Sequence, residues 1–170
     1  MDGSVFPHTT SSRTHCMASL RHLIIILGDQ LNLDSSAFDG FDPDLDCIFM
    51  AEVTEESTHV WSSKMRIAVF LSAMRHFKAR VQKRDWPIKY RTLDVPDNKG
   101  TIALELDDCI RQLKPSGLVM TVPGDWRVLK AIKAGAQRHG LPLDLRDDRH
   151  FFSLESASVI PPSASMPCLA

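Results

Sequence analysis

The chain has 170 residues and a mass of 19.0 kDa, with 20 Lys and Arg against 21 Asp and Glu. That length suits one domain able to bury its own core without disulfide staples, and 44% apolar with 24% charged residues excludes a disordered, collagenous or coiled-coil chain. The formal net charge of −1 excludes a strongly basic nucleic-acid arm or an acidic tail, yet it averages two opposed blocks. Residues 28–58 hold nine carboxylates (Asp29, Asp34, Asp39, Asp42, Asp44, Asp46, Glu52, Glu55, Glu56) and no Lys or Arg. Residues 64–91 hold nine cations and one acid, Asp85.

In chain order, residues 1–20 are rich in Ser and Thr, contain Gly3 and Pro7, and read as a loose tail; Met17 stands where an alternative start would lie. Leu23 to Leu27 is a short β-branched apolar run stopped by Gly28, the pattern of a buried strand. Cys47 to Ala51 is a second such run. A helix is predicted from about Trp61 to Arg84, with Ile67, Phe70, Leu71, Met74, Phe77 and Val81 at helical spacing and Pro87 as its stop. Ile88 to Leu93 reads as a third strand. Ile102, Leu106, Cys109, Ile110 and Leu113 mark a second helix, closed by Pro115 and Gly117. Gly117 to Val122 is a fourth strand. Trp126, Leu129, Ile132 and Ala136 mark a third helix, and Leu141 to Leu145 is a weaker fifth strand. From Ser156 onward, prolines and small residues read as an unfolded tail.

Apolar strands alternating with helices predict a Rossmann-like, doubly wound α/β fold with about five parallel strands in the order 3-2-1-4-5. Four cysteines, Cys16, Cys47, Cys109 and Cys168, form no C-x-x-C pair and no cluster with His, so neither a metal site nor a redox motif is expected. Cys47 and Cys109 read as small core residues. The longest apolar run is too short for a membrane span or a secretory segment, so a cytoplasmic protein without a membrane partner is expected.

In such sheets ligands bind beyond the carboxyl ends of the strands, where the strand order reverses. Here that point lies between the first strand, ending in Gly28-Asp29-Gln30, and the fourth, ending in Pro123-Gly124-Asp125-Trp126. Each glycine lets a ligand approach the backbone closely. Each Asp either caps the helix that follows or accepts a hydrogen bond from a ligand. Gln30 offers both donor and acceptor. Trp126 is either core or a stacking surface. The second strand delivers Met50, Ala51, Glu52 and Val53 to the same edge. No G-x-G-x-x-G follows the first strand and no G-x-x-x-x-G-K-[ST] occurs, so neither phosphate-binding fingerprint is present. The strand-Gly-Asp opening and Asp147-x-x-His150 are similar to GDSL esterases, but Gln30 stands where their serine would attack. The basic residues Arg66, Arg75, Lys78, Arg80, Lys83 and Arg84 either contact phosphate or form the solvated side of the first helix, facing the acidic block.

Leu27 to Leu31, Met50 to Glu56, Lys64 through Phe77, Asp94 to Asn98, Pro123 to Arg127 and Asp147 to Phe151 occur in an order that resembles the photolyase-related branch of the cryptochrome/photolyase superfamily, the bacterial (6-4) photolyases and iron–sulfur cryptochromes. The likeness runs from about Leu20 to Ser153. It implies an α/β domain over residues 21–153 that binds an antenna chromophore, 6,7-dimethyl-8-ribityllumazine in this branch, as part of a light-driven DNA repair or cryptochrome flavoprotein. Carried over by motif, the cofactor-binding residues are Gly28, Asp29, Gln30, Leu31, Met50, Glu52, Val53, Glu56, Lys64 and Ile67. No catalytic or metal-binding residue is carried over. FAD, an iron–sulfur cluster and the DNA site belong in the family to a following helical flavin domain, to which this region would dock. Here residues 154–170 depart from the pattern, and a truncated or frameshifted reading frame is the expected explanation. An orphan nucleotide- or flavin-binding module and a non-functional fragment are the alternatives.

Overall fold

Alternate side chains of a strand point to opposite faces, so a short, wholly apolar run coats both. In the computed structural model, which describes residues 20–54 and 63–149, five strands form one parallel sheet, and its three inner strands are built on such runs. Its strands are β1 (His22–Ile25), β2 (Asp46–Ala51), β3 (Ile88–Arg91), β4 (Gly117–Thr121) and β5 (Leu143–Arg146). Their order is β3-β2-β1-β4-β5, the doubly wound arrangement expected. Central β1 pairs Ile24 with Ile48 of β2 and with Val119 of β4.

One face, with Leu23, Ile25, Phe49, Leu118 and Met120, packs on α2 (Ile102–Leu113) and α3 (Trp126–Arg138). The other, with Ile24, Ile26, Ile48, Met50 and Val119, packs on α1 (Lys64–Gln82) and on a short 3-10 turn, Ser36–Phe38. Cys47 and Cys109 are buried in the first group, as expected. Burial pushes the Cys109 thiol up to about 12 and the Cys47 thiol upward, so neither presents a thiolate. Among the described residues no helix is long and apolar enough to cross a membrane.

Side-chain caps set the helix starts. Ser63, Thr101 and Asp125 accept the backbone N–H of Arg66, Leu104 and Arg127 respectively. The expected beginning of α1 at Trp61 lies outside the described residues, as do the two tails. Strand ends differ from expectation for local reasons. β3 stops at Arg91 and not Leu93, because the Leu93 N–H turns to Glu52 Oε2 at 2.9 Å. β5 starts at Leu143 and not Leu141, because the Leu141 N–H closes back on Ala136 O at 3.0 Å and Pro142 has no N–H to offer.

Candidate functional site

β1 and β4 are neighbours in the sheet, but their connections leave for opposite faces. A crevice opens between their carboxyl ends. After Leu27 the chain turns tightly, with the Gln30 N–H bonded to Leu27 O at 3.0 Å and the Asn32 N–H to Gln30 O at 2.8 Å. Gln30 then reaches across to β4. Its Nε2 donates to Val122 O at 3.1 Å and to Thr121 O at 3.4 Å. Both partners are carbonyls, so the amide orientation is determined and Oε1 faces away from them. Ser35 Oγ and Thr121 Oγ1 bond each other at 2.8 Å.

These residues border a cleft of about 490 Å³, lined by Gly28, Asp29, Gln30, Leu31, Asn32, Ser35, Thr121 and Asp148. Its size suits a small organic ligand. Gln30 is only 9% exposed, yet its Oε1 has no hydrogen-bond partner. A buried acceptor left unmade costs stability. Burial raises the Asp29 carboxyl above its usual range, and the nearby Asp148 and Asp125 carboxylates raise it further. Gly28 is required by close approach. A Cβ there would lie 2.2 Å from Cζ of Phe70 and 3.1 Å from Sδ of Met74, so α1 packs directly on the cleft's first residue.

The structure therefore brings Gly28, Asp29, Gln30 and Leu31 together and adds Asn32, Ser35, Thr121 and Asp148. Ser35 and Asn32 lie in a segment without helical or strand periodicity and carry no pattern of their own. Thr121, a polar residue ending an apolar run at the point of strand reversal, was the available signal. The remaining candidates that are described lie elsewhere. Met50 is wholly buried between the sheet and α1, and Val53 is buried on the opposite face. Lys64 and Ile67 occupy the first turn of α1, with Lys64 exposed and Ile67 half-buried. The α1 side chain that meets Gly28 is Phe70, one turn further on. Glu56 lies outside the described residues.

Glu52 forms a second polar centre, at the end of β2. Its buried carboxylate accepts Arg75 Nε at 2.8 Å and Nη2 at 2.9 Å, the Tyr90 hydroxyl at 2.6 Å and the Leu93 N–H at 2.9 Å. Although burial alone would raise it, these donors hold Glu52 at about 2, while burial and the Glu52 carboxylate push the Tyr90 hydroxyl upward. Asn98 Nδ2 ties the Glu52 backbone carbonyl to that of Thr92, at 2.8 and 3.0 Å. The centre joins β2, α1, β3 and the loop beyond β3. At the other strand end, Asp125 caps α3, whereas Trp126 is 67% exposed and so is not core. Its ring lies 5.9 Å from Lys133 Nζ. Among the described residues no three His, Cys, Asp or Glu side chains converge as a metal site requires.

Comparison with known proteins agrees with this architecture. A family model described as deoxyribodipyrimidine photo-lyase-related protein matches residues 24–158. A protein named (6-4) photolyase, from Agrobacterium fabrum (strain C58 / ATCC 33970), is 37% identical over 134 residues, which cover 79% of this chain and 26% of that protein. The chain thus matches about a quarter of the relative's length.

Proposed function

The chain belongs to the deoxyribodipyrimidine photo-lyase-related protein family, and from that premise we propose that its α/β region holds an antenna chromophore, 6,7-dimethyl-8-ribityllumazine, in the cleft beyond β1 and β4. The dye, when bound, supplies absorption of light and its transfer onward. The residues of the chain bind it, orient it and exclude water.

The observation that carries the reading is Gln30, a lining residue of the cleft of about 490 Å³ whose buried Oε1 has no partner. It would accept a donor of the dye, while the same side chain's Nε2 stays anchored to β4. Leu31 offers an apolar contact, and Gly28, its open side filled by Phe70, brings α1 against the cleft. Asp29 and Asp148 offer acceptors to a polyol chain. An antenna needs no nucleophile or general acid, and the reading assigns none.

Light-driven DNA repair would be the work of a longer protein, in which FAD, an iron–sulfur cluster and the DNA contacts lie beyond the matched region. The test uses the full chain mixed with the lumazine. Folded protein should elute with the dye's absorption band, and Gln30→Leu should weaken binding by roughly tenfold or more, the effect of one lost buried hydrogen bond. Failure of the dye to co-elute with folded wild type would sink the reading.

A further inference from the structure

We infer that the outer side of the second half of α1, with the turn that follows it, docks on duplex DNA by contacting phosphate groups without reading base sequence. The inference is independent of what the cleft beyond β1 and β4 binds.

The basic residues of α1 had two possible roles, contact with phosphate or a solvated side facing the acidic block. The structure removes most of the second. Arg75 alone turns to that block, pairing with Glu52, and it also meets Asp94. Asp46 is taken by Arg21, and Asp39 by Arg149. Among the described residues, Lys78, Arg80, Lys83 and Arg84 pair with no carboxylate. Lys78 is half-buried and the other three are exposed. Between Lys64 and Arg91 the one acid is Asp85. A cation near a helix C-terminus also answers the helix dipole. In the last turns of α2 and α3 those cations, Arg111 and Arg138, are both paired with Asp107. The end of α1 differs, since its Arg80, Lys83 and Arg84 are left open.

What this surface lacks selects the partner. The exposed large apolar residues among those described are Leu45, Met65, Val69, Leu104 and Trp126, and none lies in the second half of α1 or its following turn. A protein interface centres on apolar and aromatic anchors and is poor in Lys. A helix lying on a membrane needs an apolar face. Single strands are held by stacking bases on open aromatic rings. The rings here are covered. Lys78 Nζ lies 5.0 Å from the Tyr90 ring centre, and the Arg84 guanidinium lies 5.1 Å from that of Trp86, which also packs on Phe38 and Phe41. Cations on a straight, rigid element, with no large apolar side chain among them, fit the regular phosphates of a duplex. Arg80 and Lys83 stand about 15 and 20 Å along the helix axis from Phe70, at about 1.5 Å per residue, and so lie away from the cleft.

Fluorescence anisotropy of a labelled duplex of about 20 base pairs, mixed with the full chain, is the test. Binding should be measurable at about 50 mM salt and weaken about tenfold or more at about 200 mM, as counterions held by the phosphates are no longer released so favourably. The double variant Arg80→Gln, Lys83→Gln should bind about tenfold or more weakly and lower the slope of log Kd against log salt by about 2. Gln keeps helix propensity, and far-UV circular dichroism should be unchanged. The double variant Lys130→Gln, Lys133→Gln removes the same charge from α3, on the other face of the sheet. It should change binding by no more than about threefold. An unlabelled single strand, polyglutamate and phosphatidylserine vesicles, added as competitors, should each displace the labelled duplex less well than unlabelled duplex does. No binding by folded wild type, equal losses in the two double variants, or better displacement by any of those competitors would overturn the proposal. The wild-type salt series and the competitors decide it even if a variant unfolds.

Discussion

Gln30 and Glu52 are both polar, both nine-tenths buried or more, and both lie beyond a strand end, yet they do opposite things. Gln30 is half satisfied. Its donors are spent on β4 and its acceptor is left for something else. Glu52 is fully satisfied, with both oxygens engaged. Its role is to hold three elements and a loop in register. Because folding lowers its carboxyl from 4.5 to about 2, the stabilisation it contributes is complete above 4.5 and is lost as pH falls through that interval. The shift corresponds to about 3 kcal/mol. Glu52→Gln, which leaves Arg75 without its buried counter-ion, should cost a similar amount, about 3 kcal/mol at pH 7. Urea denaturation should show the difference between wild type and variant shrinking between pH 4.5 and about 2. A difference unchanged over that range would contradict the assignment. Sequence motifs placed both residues at the right edge. Which would be consumed internally and which left open depended on distant partners, namely Arg75, Tyr90, Thr121 and Val122.

At the scale of elements, α1 shapes the cleft through Phe70 and Met74 packed on Gly28. Gly28→Ala should push the Phe70 ring away and destabilise the protein by about 1–3 kcal/mol. Phe70→Leu, which shortens the obstructing side chain, should recover part of that loss in the double variant, measured as a shift in urea midpoint. Additive losses would show that the contact is not the cause. The helix itself was legible, since its apolar positions recur at helical spacing and Met74, Phe77 and Val81 are the ones buried. The first crossover was not. Between β1 and β2 the chain crosses with only the 3-10 turn Ser36–Phe38 in place of a long helix. That turn is held by contacts far away in sequence. Arg146 on β5 donates to Ser36 O and Asp39 O, both at 2.8 Å, and Ser36 Oγ donates to Asp147 O at 2.6 Å. No local periodicity encodes such a segment.

At the scale of the molecule, β1 contributes side chains to both core groups, Leu23 and Ile25 to one and Ile24, with Ile26 just beyond the strand, to the other. Neither layer can be peeled away without exposing the central strand. Urea unfolding should therefore follow one transition, with tryptophan fluorescence and far-UV circular dichroism superimposing; separate midpoints would mean that the layers unfold independently. The two charge blocks resolve only partly into pairs. Arg75 meets Glu52 of the acidic block, whereas Arg91 pairs with Asp108 at 2.9 Å and lies near Glu105 at 3.4 Å, both outside it. The acidic block instead supplies Asp29 to the cleft. A near-neutral total thus conceals a cleft lined by Asp29 and Asp148.

Alternating apolar runs and helical spacings were enough to determine the fold class, because parallel strands buried on both faces and right-handed crossovers leave few arrangements, and among these the tertiary structure selects the order 3-2-1-4-5 that the sequence reading adopted. They also located the point of strand reversal, and with it Gly28 to Leu31. Only the tertiary structure separated the cleft from the Glu52 centre, sent Met50 and Val53 into the core and recruited Ser35, Thr121 and Asp148. The reason is physical. Periodicity states which face of an element is buried, whereas the partner of a polar atom is chosen by residues brought near from elsewhere in the chain, 91 positions away in the bond from Gln30 to Thr121.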